Sequence, residues 1–223
     1  MGNIIILPET TKNPITLLGQ RAGICWGADI TDAEKNYKRG WDCITSGHGR
    51  TLEFVSVEML LDGYSARVMR EWYTHIGGAP TRLQASTRYI DYGSFEYITP
   101  NRIKNDVKAW QRYDCAMKEI QHAIKSLEDM DVPREDIAML LPLGMATRVV
   151  DKRNLRNLID MSRQRMCMRA YWEFRELFGD IIVALMNYST EWEALTQFMR
   201  PKCEITGYCT EKHGCGRYPH KGD

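Results

Sequence analysis

The stretch Glu53–Gly63 most constrains the fold. Val55, Val57 and Met59 alternate with Ser56 and Glu58, a period of two that suits a strand with one buried face and one wet face. Such a strand belongs in an antiparallel sheet, because parallel strands are covered on both faces and read as continuous apolar runs. The period then changes. Ala66, Met69 and Trp72/Tyr73 recur at helical spacing with Arg67, Arg70 and Glu71 between them, and Gly77-Gly78 and Pro80 stop that helix. From Asn101 a longer helix is written, with Ile103, Val107, Trp110, Met117, Ile120, Ile124 and Leu127 as its apolar stripe. Together these patterns predict an α+β fold, an antiparallel sheet packed with long helices.

The remaining elements fit that class. Asn3–Leu7 reads as a first strand closed by Pro8, and Thr31 followed by Asp32, Ala33 and Glu34 reads as the capped start of a helix towards Ile44. Tyr92–Ile98 reads as a strand, Pro133 as the start of a short helix from Arg134 to Leu141, and Met145–Val150 as another strand. Asp151 is placed to cap a helix beginning near Arg153. Phe178–Met186 is a closing apolar helix, and Trp192, Leu195 and Phe198 make a last amphipathic turn.

Composition excludes several tasks. At 223 residues with a net charge of +1, the chain has room for a large core and lacks the basic excess of a nucleic-acid binder. No apolar run approaches membrane-spanning length, and no export signal opens the chain. Seven cysteines, an odd number, point to a reducing compartment, so a cytoplasmic protein with free thiols is expected.

Three places have chemical capacity. Thr81–Tyr89 (TRLQASTRY) is a loop with two arginines and several hydroxyls; it suits a phosphate, or is merely a solvated Ser/Arg cluster. Gly47-His48-Gly49-Arg50-Thr51 sets an imidazole, a guanidinium and a hydroxyl beside glycines. In the helix after Arg153, Leu155, Leu158/Ile159 and Ser162 define a stripe on or beside which Arg165 falls. Arg156, Asp160 and Arg163 share the neighbouring face, with Asp160 able to pair either arginine. An inward arginine needs a partner or a ligand. The last segment, 200–223, differs in kind from 1–199. Its Cys203, Cys209 and Cys215 fall six apart near His213, which leaves zinc or free thiols open.

Three ordered blocks within residues 45–190 resemble the flavin-dependent thymidylate synthases, the ThyX family. His48 to Phe54 is similar to the family's His-x-Thr-Pro-x-Glu loop, with His48 and Glu53 matching and Arg50 and Thr51 at the Thr and Pro positions. His75 and Ser86-Thr87-Arg88-Tyr89 match the signature that opens Arg-His-Arg and closes Ser-x-Arg-Tyr. Leu141-Pro142-Leu143, Asn154-Leu155-Arg156, Arg165, Ala170, Trp172 and Glu173 follow the family's Leu-Pro and Asn-x-Arg helix. The signature loop is non-standard. Its triplet reads Thr74-His75-Ile76, and Glu71, Gln84, Ala138 and Asp160 replace the family's Gln, acidic residue, Arg and Asn. Arg50 or Arg82 would then replace a lost cation.

The resemblance implies a homotetramer with active sites between subunits, converting dUMP to dTMP with methylenetetrahydrofolate as carbon donor, NADPH as reductant and FAD as hydride carrier. By position, Arg165 would be catalytic against the uracil edge, and Glu71, Gln84, Ala85, Ser86, Thr87 and Arg88 would complete the dUMP site. His48, Arg50, Glu53, Thr74, His75, Ile76, Gln84, Asn154, Arg156 and Asp160 would contact FAD. A dUMP- or dCMP-directed hydroxymethylase and a non-catalytic flavin or nucleotide binder are the alternatives.

Overall fold

The computed structural model describes residues 2–222. In chain order its elements are β1 (Asn3–Ile6), α1 (Pro14–Cys25), α2 (Ala33–Thr45), β2 (Ser56–Ser65), α3 (Ala66–Trp72) and β3 (Thr81–Gln84). There follow α4 (Asn101–Lys104), α5 (Val107–Glu128), α6 (Arg134–Ile137), β4 (Ala146–Asn154) and α7 (Leu155–Arg165). Helices α8 (Trp172–Tyr188), α9 (Thr190–Thr196) and α10 (Lys202–Thr206) close the chain. The four strands form an antiparallel sheet in the order β1-β2-β4-β3. Among the described residues no helix is long and apolar enough to cross a membrane.

The alternation read from the sequence is realised. Val55, Val57, Met59 and Leu61 are fully buried, and the residues between them are partly exposed. The strand starts at Ser56 rather than Glu53, because Thr51–Phe54 forms one tight 3-10 turn. Asp32, not Thr31, caps α2: its carboxylate accepts from the Lys35 N–H at 3.1 Å.

The chain divides into two compact units, and the division falls within each of the four strands. One holds Leu61–Tyr73 and Leu83–Val149 with the first described residues up to Asn3. Its core gathers Phe95, Met117, Ile124, Ile137 and Met145, with Tyr92, Tyr113, Ile120 and Leu127 packed around them. The stripe of the long helix is thus buried only in its second half; Val107 and Trp110 stay 70% and 43% exposed. The helix itself is interrupted at Asn105-Asp106, where the Asp106 carboxylate accepts from the Lys108 and Ala109 N–H groups and starts α5 afresh. Tyr92–Ile98 makes one antiparallel bridge, Tyr97 to Met145, in place of a strand.

The other unit holds Ile4–Leu60, Thr74–Arg82 and the described residues from Val150 on. The sequence reading missed α1, which begins with Pro14 and packs on α2 through two glycines. A Cβ at Gly19 would sit 1.7 Å from the Asn36 carbonyl oxygen, and one at Gly40 would sit 2.0 Å from that of Ile15. Only backbone fits there. Leu155, Leu158, Phe174, Leu177, Phe178, Ile181 and Trp192 are fully buried. The Trp192 indole N–H donates to the Thr11 carbonyl at 2.7 Å.

Strand β4 continues to Asn154, so Asp151 caps nothing. It is fully buried and pairs with Arg153, Nε to Oδ2 at 2.5 Å and Nη2 to Oδ1 at 2.6 Å. The N-cap of α7 is Asn154, whose side chain accepts from the Asn157 N–H at 2.8 Å. Residues from Pro201 on fall within this second unit. Arg169 holds them by donating to the His213 carbonyl at 2.6 Å, and Arg217 pairs with Glu204 at 2.5 Å.

Candidate active site

In the second unit, the β4–α7 junction organises the polar side chains. The Leu155 N–H donates to the Val55 carbonyl at 2.9 Å and so ties the first turn of α7 to the turn that carries Glu53. Arg156, the next residue, reaches the Glu53 carboxylate at 2.6 Å, with both side chains about half exposed. Gly49 lies so near that a Cβ there would sit 3.8 Å from the Arg156 guanidinium. Gly78 crosses the cap: a Cβ on it would fall 2.1 Å from Asn154 Nδ2, and its φ of +72° suits glycine. The structure therefore brings together Glu53, Asn154, Arg156 and the Gly47–Arg50 loop, residues far apart in the sequence.

That loop lines a cleft of about 480 Å³ with Ala22, Cys25, Trp26 and Cys43, alongside His48, Gly49, Arg50 and Thr51. The Thr51 hydroxyl is turned back onto the His48 carbonyl at 2.7 Å, which stiffens the loop. Trp26, 62% exposed, was not singled out from the sequence. It follows α1, whose short stripe of Ile15, Leu18 and Ala22 is interrupted by Gly19 and Gly23 and was not read as a helix from the sequence.

Further along α7, Asp160 pairs with Arg163 at 3.2 Å, one of the two partners expected for it. Arg165, partly buried in the last turn, sits where a cation is favoured by the helix dipole. Its Nε–H donates to His75 Nε2 at 2.8 Å, its Nη2 stands 3.5 Å from the Thr74 hydroxyl, and its guanidinium lies 5.0 Å from the centre of the Phe174 ring. Burial pushes the His75 pKa down to about 4, helped by the positive charges of Arg165 and Arg153. His75 is therefore neutral and able to accept. Ile76, the next residue, is 70% exposed.

The expected loop at 81–89 is in part β3, an exposed edge strand recognised only by its ladder with β4. Gln84 Nε2 donates to the Thr147 hydroxyl at 3.2 Å, and the Ala85 N–H to the Arg148 carbonyl at 2.9 Å. The chain then turns. The Ser86 hydroxyl accepts from the Arg88 N–H at 3.2 Å, and Thr87 lies between them, partly buried. Arg88 is exposed, its guanidinium 5.4 Å from the centre of the Tyr89 ring. Glu71 ends α3 and faces Arg67 at 3.7 Å. A Ser-x-Arg turn of this kind offers a hydroxyl, backbone N–H groups and a guanidinium to one anion.

The four residues considered for zinc are not assembled. Among the described residues no three His, Cys, Asp or Glu side chains gather where a metal ion could sit. Cys203, Cys209, His213 and Cys215 form no such group, and all seven cysteines are free thiols.

Comparison with known proteins decides the family. The family model described as thymidylate synthase complementing protein matches residues 7–188. The chain belongs to this family. A flavin-dependent thymidylate synthase of Nitratidesulfovibrio vulgaris is 31% identical over 189 residues, covering 79% of this chain and 74% of that one. Proteins of the same name from Clostridium tetani (25% identical, 97% and 94% covered) and Pyrococcus furiosus (27%, 93% and 89%) match over nearly their whole length. Among solved structures, the ThyX of Helicobacter pylori with FAD and dUMP superposes with a TM-score of 0.66 at 17% identity, over 87% of this chain and 99% of that one. That likeness establishes the ThyX fold for this family member, with its non-standard triplet Thr74-His75-Ile76.

Proposed function

We propose that this chain is a flavin-dependent thymidylate synthase, forming dTMP from dUMP with methylenetetrahydrofolate as carbon donor and NADPH as reductant. The observation that carries the reading is Arg165, a fixed cation held between His75 and Phe174 at the end of α7, in a chain of this family. Against the edge of a pyrimidine, such a cation stabilises the negative charge that develops as the ring is attacked or deprotonated. Its preorganisation means that little reorientation is needed during the reaction. In the first unit, the residues assigned to dUMP are Ser86 and Arg88, for its phosphate, with Glu71, Gln84, Ala85 and Thr87.

The residues present fit FAD. The cleft beside His48 and Arg50 has the size of ordinary small-molecule sites, roughly 300–1,000 Å³. It joins a flat indole to a glycine-rich loop and a cation, which suits a planar ring with a charged appendage. Arg50 and Arg156 supply positive charge that the family places at the triplet, and Asn154, Glu53, Asp160, Thr74, His75 and Ile76 are assigned to the same cofactor by the family match. Bound FAD, once reduced, supplies the hydride that completes the methyl group. The chain's own groups bind, orient and polarise. The active form is a homotetramer with sites between subunits, and free thiols are consistent with a cytoplasmic enzyme.

The test is the visible spectrum of the purified protein with FAD, followed by NADPH oxidation and dTMP formation with and without dUMP. A flavin spectrum, dUMP-stimulated oxidation and labelled dTMP are expected. Hydroxymethylated product, turnover of dCMP alone, or no flavin binding would overturn the reading.

A further inference from the structure

We propose that His75 is a positioning residue for Arg165: His75 Nε2 accepts the Arg165 Nε–H and so sets the direction in which the guanidinium meets the pyrimidine. The proposal rests on the thymidylate synthase reading above. An arginine side chain has several rotatable bonds and costs entropy to hold still. Here it is fixed at more than one point. Its Nε is 2.8 Å from His75 Nε2, its Nη2 is 3.5 Å from the Thr74 hydroxyl, and its guanidinium carbon lies 5.0 Å from the centre of the Phe174 ring. Phe174 is fully buried in α8 and cannot follow the guanidinium if it swings. The same ring braces His75 edge to face, with centroids 5.8 Å apart. Histidine, guanidinium and phenyl ring thus form one rigid corner.

The chemistry requires a neutral imidazole. A protonated His has no acceptor, and an Nε2–H tautomer would set a donor against a donor. The structure therefore assigns the proton of His75 to Nδ1. Arg165 from α7 and Arg153 from β4 are the cationic neighbours that disfavour a second positive charge, and Phe174 from α8 contributes an uncharged wall. With Nε–H committed to His75, the Nη groups are the ones assigned to the pyrimidine. Their planar pair matches an acceptor edge better than a rotating ammonium would. His75 acts through Arg165 and needs no contact of its own with the base.

Two measurements on the full chain with FAD test this. Imidazole ¹⁵N NMR, assigned by loss of one of five histidine signals in His75→Gln, should show His75 as the Nδ1–H tautomer, still neutral at pH 5.5. The Arg165→Leu substitution should shift that signal. In steady-state assays at saturating FAD, so that any weakening of the flavin site to which His75 is also assigned is removed from the reading, His75→Leu should lower kcat by about 30- to 100-fold, the cost of a misplaced catalytic group. His75→Gln, whose Oε1 can accept from Nε–H, should recover to within about fivefold of wild type. An Nε2–H tautomer, equal losses in the two variants, or a loss that saturating FAD abolishes would overturn the proposal. So would a wild-type protein that shows the Nδ1–H tautomer yet makes no dTMP, and the NMR result identifies that as a failure of the proposed reaction rather than of the hydrogen bond.

Discussion

Removing the Asp151 charge should destabilise this protein more than most single changes. Asp151 and Arg153 are both fully buried and share two charge-assisted hydrogen bonds, while Arg153 also donates to the Asn157 side-chain oxygen at 2.6 Å. In Asp151→Asn the guanidinium stays buried but loses its counter-charge, a change that costs about 3–5 kcal/mol when one partner of a dry pair is removed. For a chain of this size about 2–4 °C is lost per kcal/mol, so the melting temperature should fall by roughly 6–20 °C. Replacing both, as Asp151→Leu with Arg153→Met, removes the uncompensated charge and should recover most of the loss, because an apolar pair of similar volume is often neutral or better. Thermal unfolding followed by circular dichroism, with urea midpoints as a check, measures both. A drop below about 2 °C for Asp151→Asn, or a double variant worse than the single, would refute the view that this pair is dry and mutually dependent.

Arg165→Ala should leave the melting temperature nearly unchanged and reduce dTMP formation by about 10²–10³-fold, the usual cost of one preorganised electrostatic donor; a near-wild-type rate would remove Arg165 from the reaction. Ser86→Ala combined with Arg88→Ala should weaken dUMP binding by about 10- to 100-fold, measured by calorimetry, while FAD binding is preserved; an unchanged Kd would disprove the phosphate assignment. His75 should also leave a mark on stability against pH. Its folded pKa of about 4 lies below the ordinary 6.5, so between those values the unfolded chain binds a proton that the folded chain refuses. Stability should therefore be free of this penalty above pH 6.5 and fall as pH drops towards 4. In His75→Gln that share of the slope should be missing from urea midpoints, and an identical slope would refute it.

Patterns carried by one segment were legible in the sequence. The Val55–Met59 alternation, the α7 stripe with Arg165 at its margin, and the Asp160–Arg163 pair all depend on neighbours along the chain. What was hidden depends on partners far away. Strand β3 has an exposed, polar sequence and is a strand only because β4 supplies its ladder. Asp151 resembled a helix cap because charged residues are seldom buried, and the sequence cannot show that Arg153 waits two residues on inside the sheet. Helix α1 was missed although Ile15, Leu18 and Ala22 recur at helical spacing and are buried, because Gly19 and Gly23 interrupt that short stripe and are poor helix formers. At the candidate site the motif residues were found by resemblance, whereas the Arg165–His75–Phe174 corner and the Trp26 wall required three dimensions.

Strand β4 ends at Asn154 and α7 begins at Leu155, with no residue to spare between them. The sheet and the helix therefore behave like a shaft keyed to a wheel. One inserted residue would turn α7 by about 100° about its axis, carrying Arg156, Asp160 and Arg165 together to the wrong azimuth while every helical hydrogen bond survived. Length variation among related chains should accordingly collect in the Gly77–Pro80 segment and spare this junction, where a single codon would silence the site without unfolding the protein.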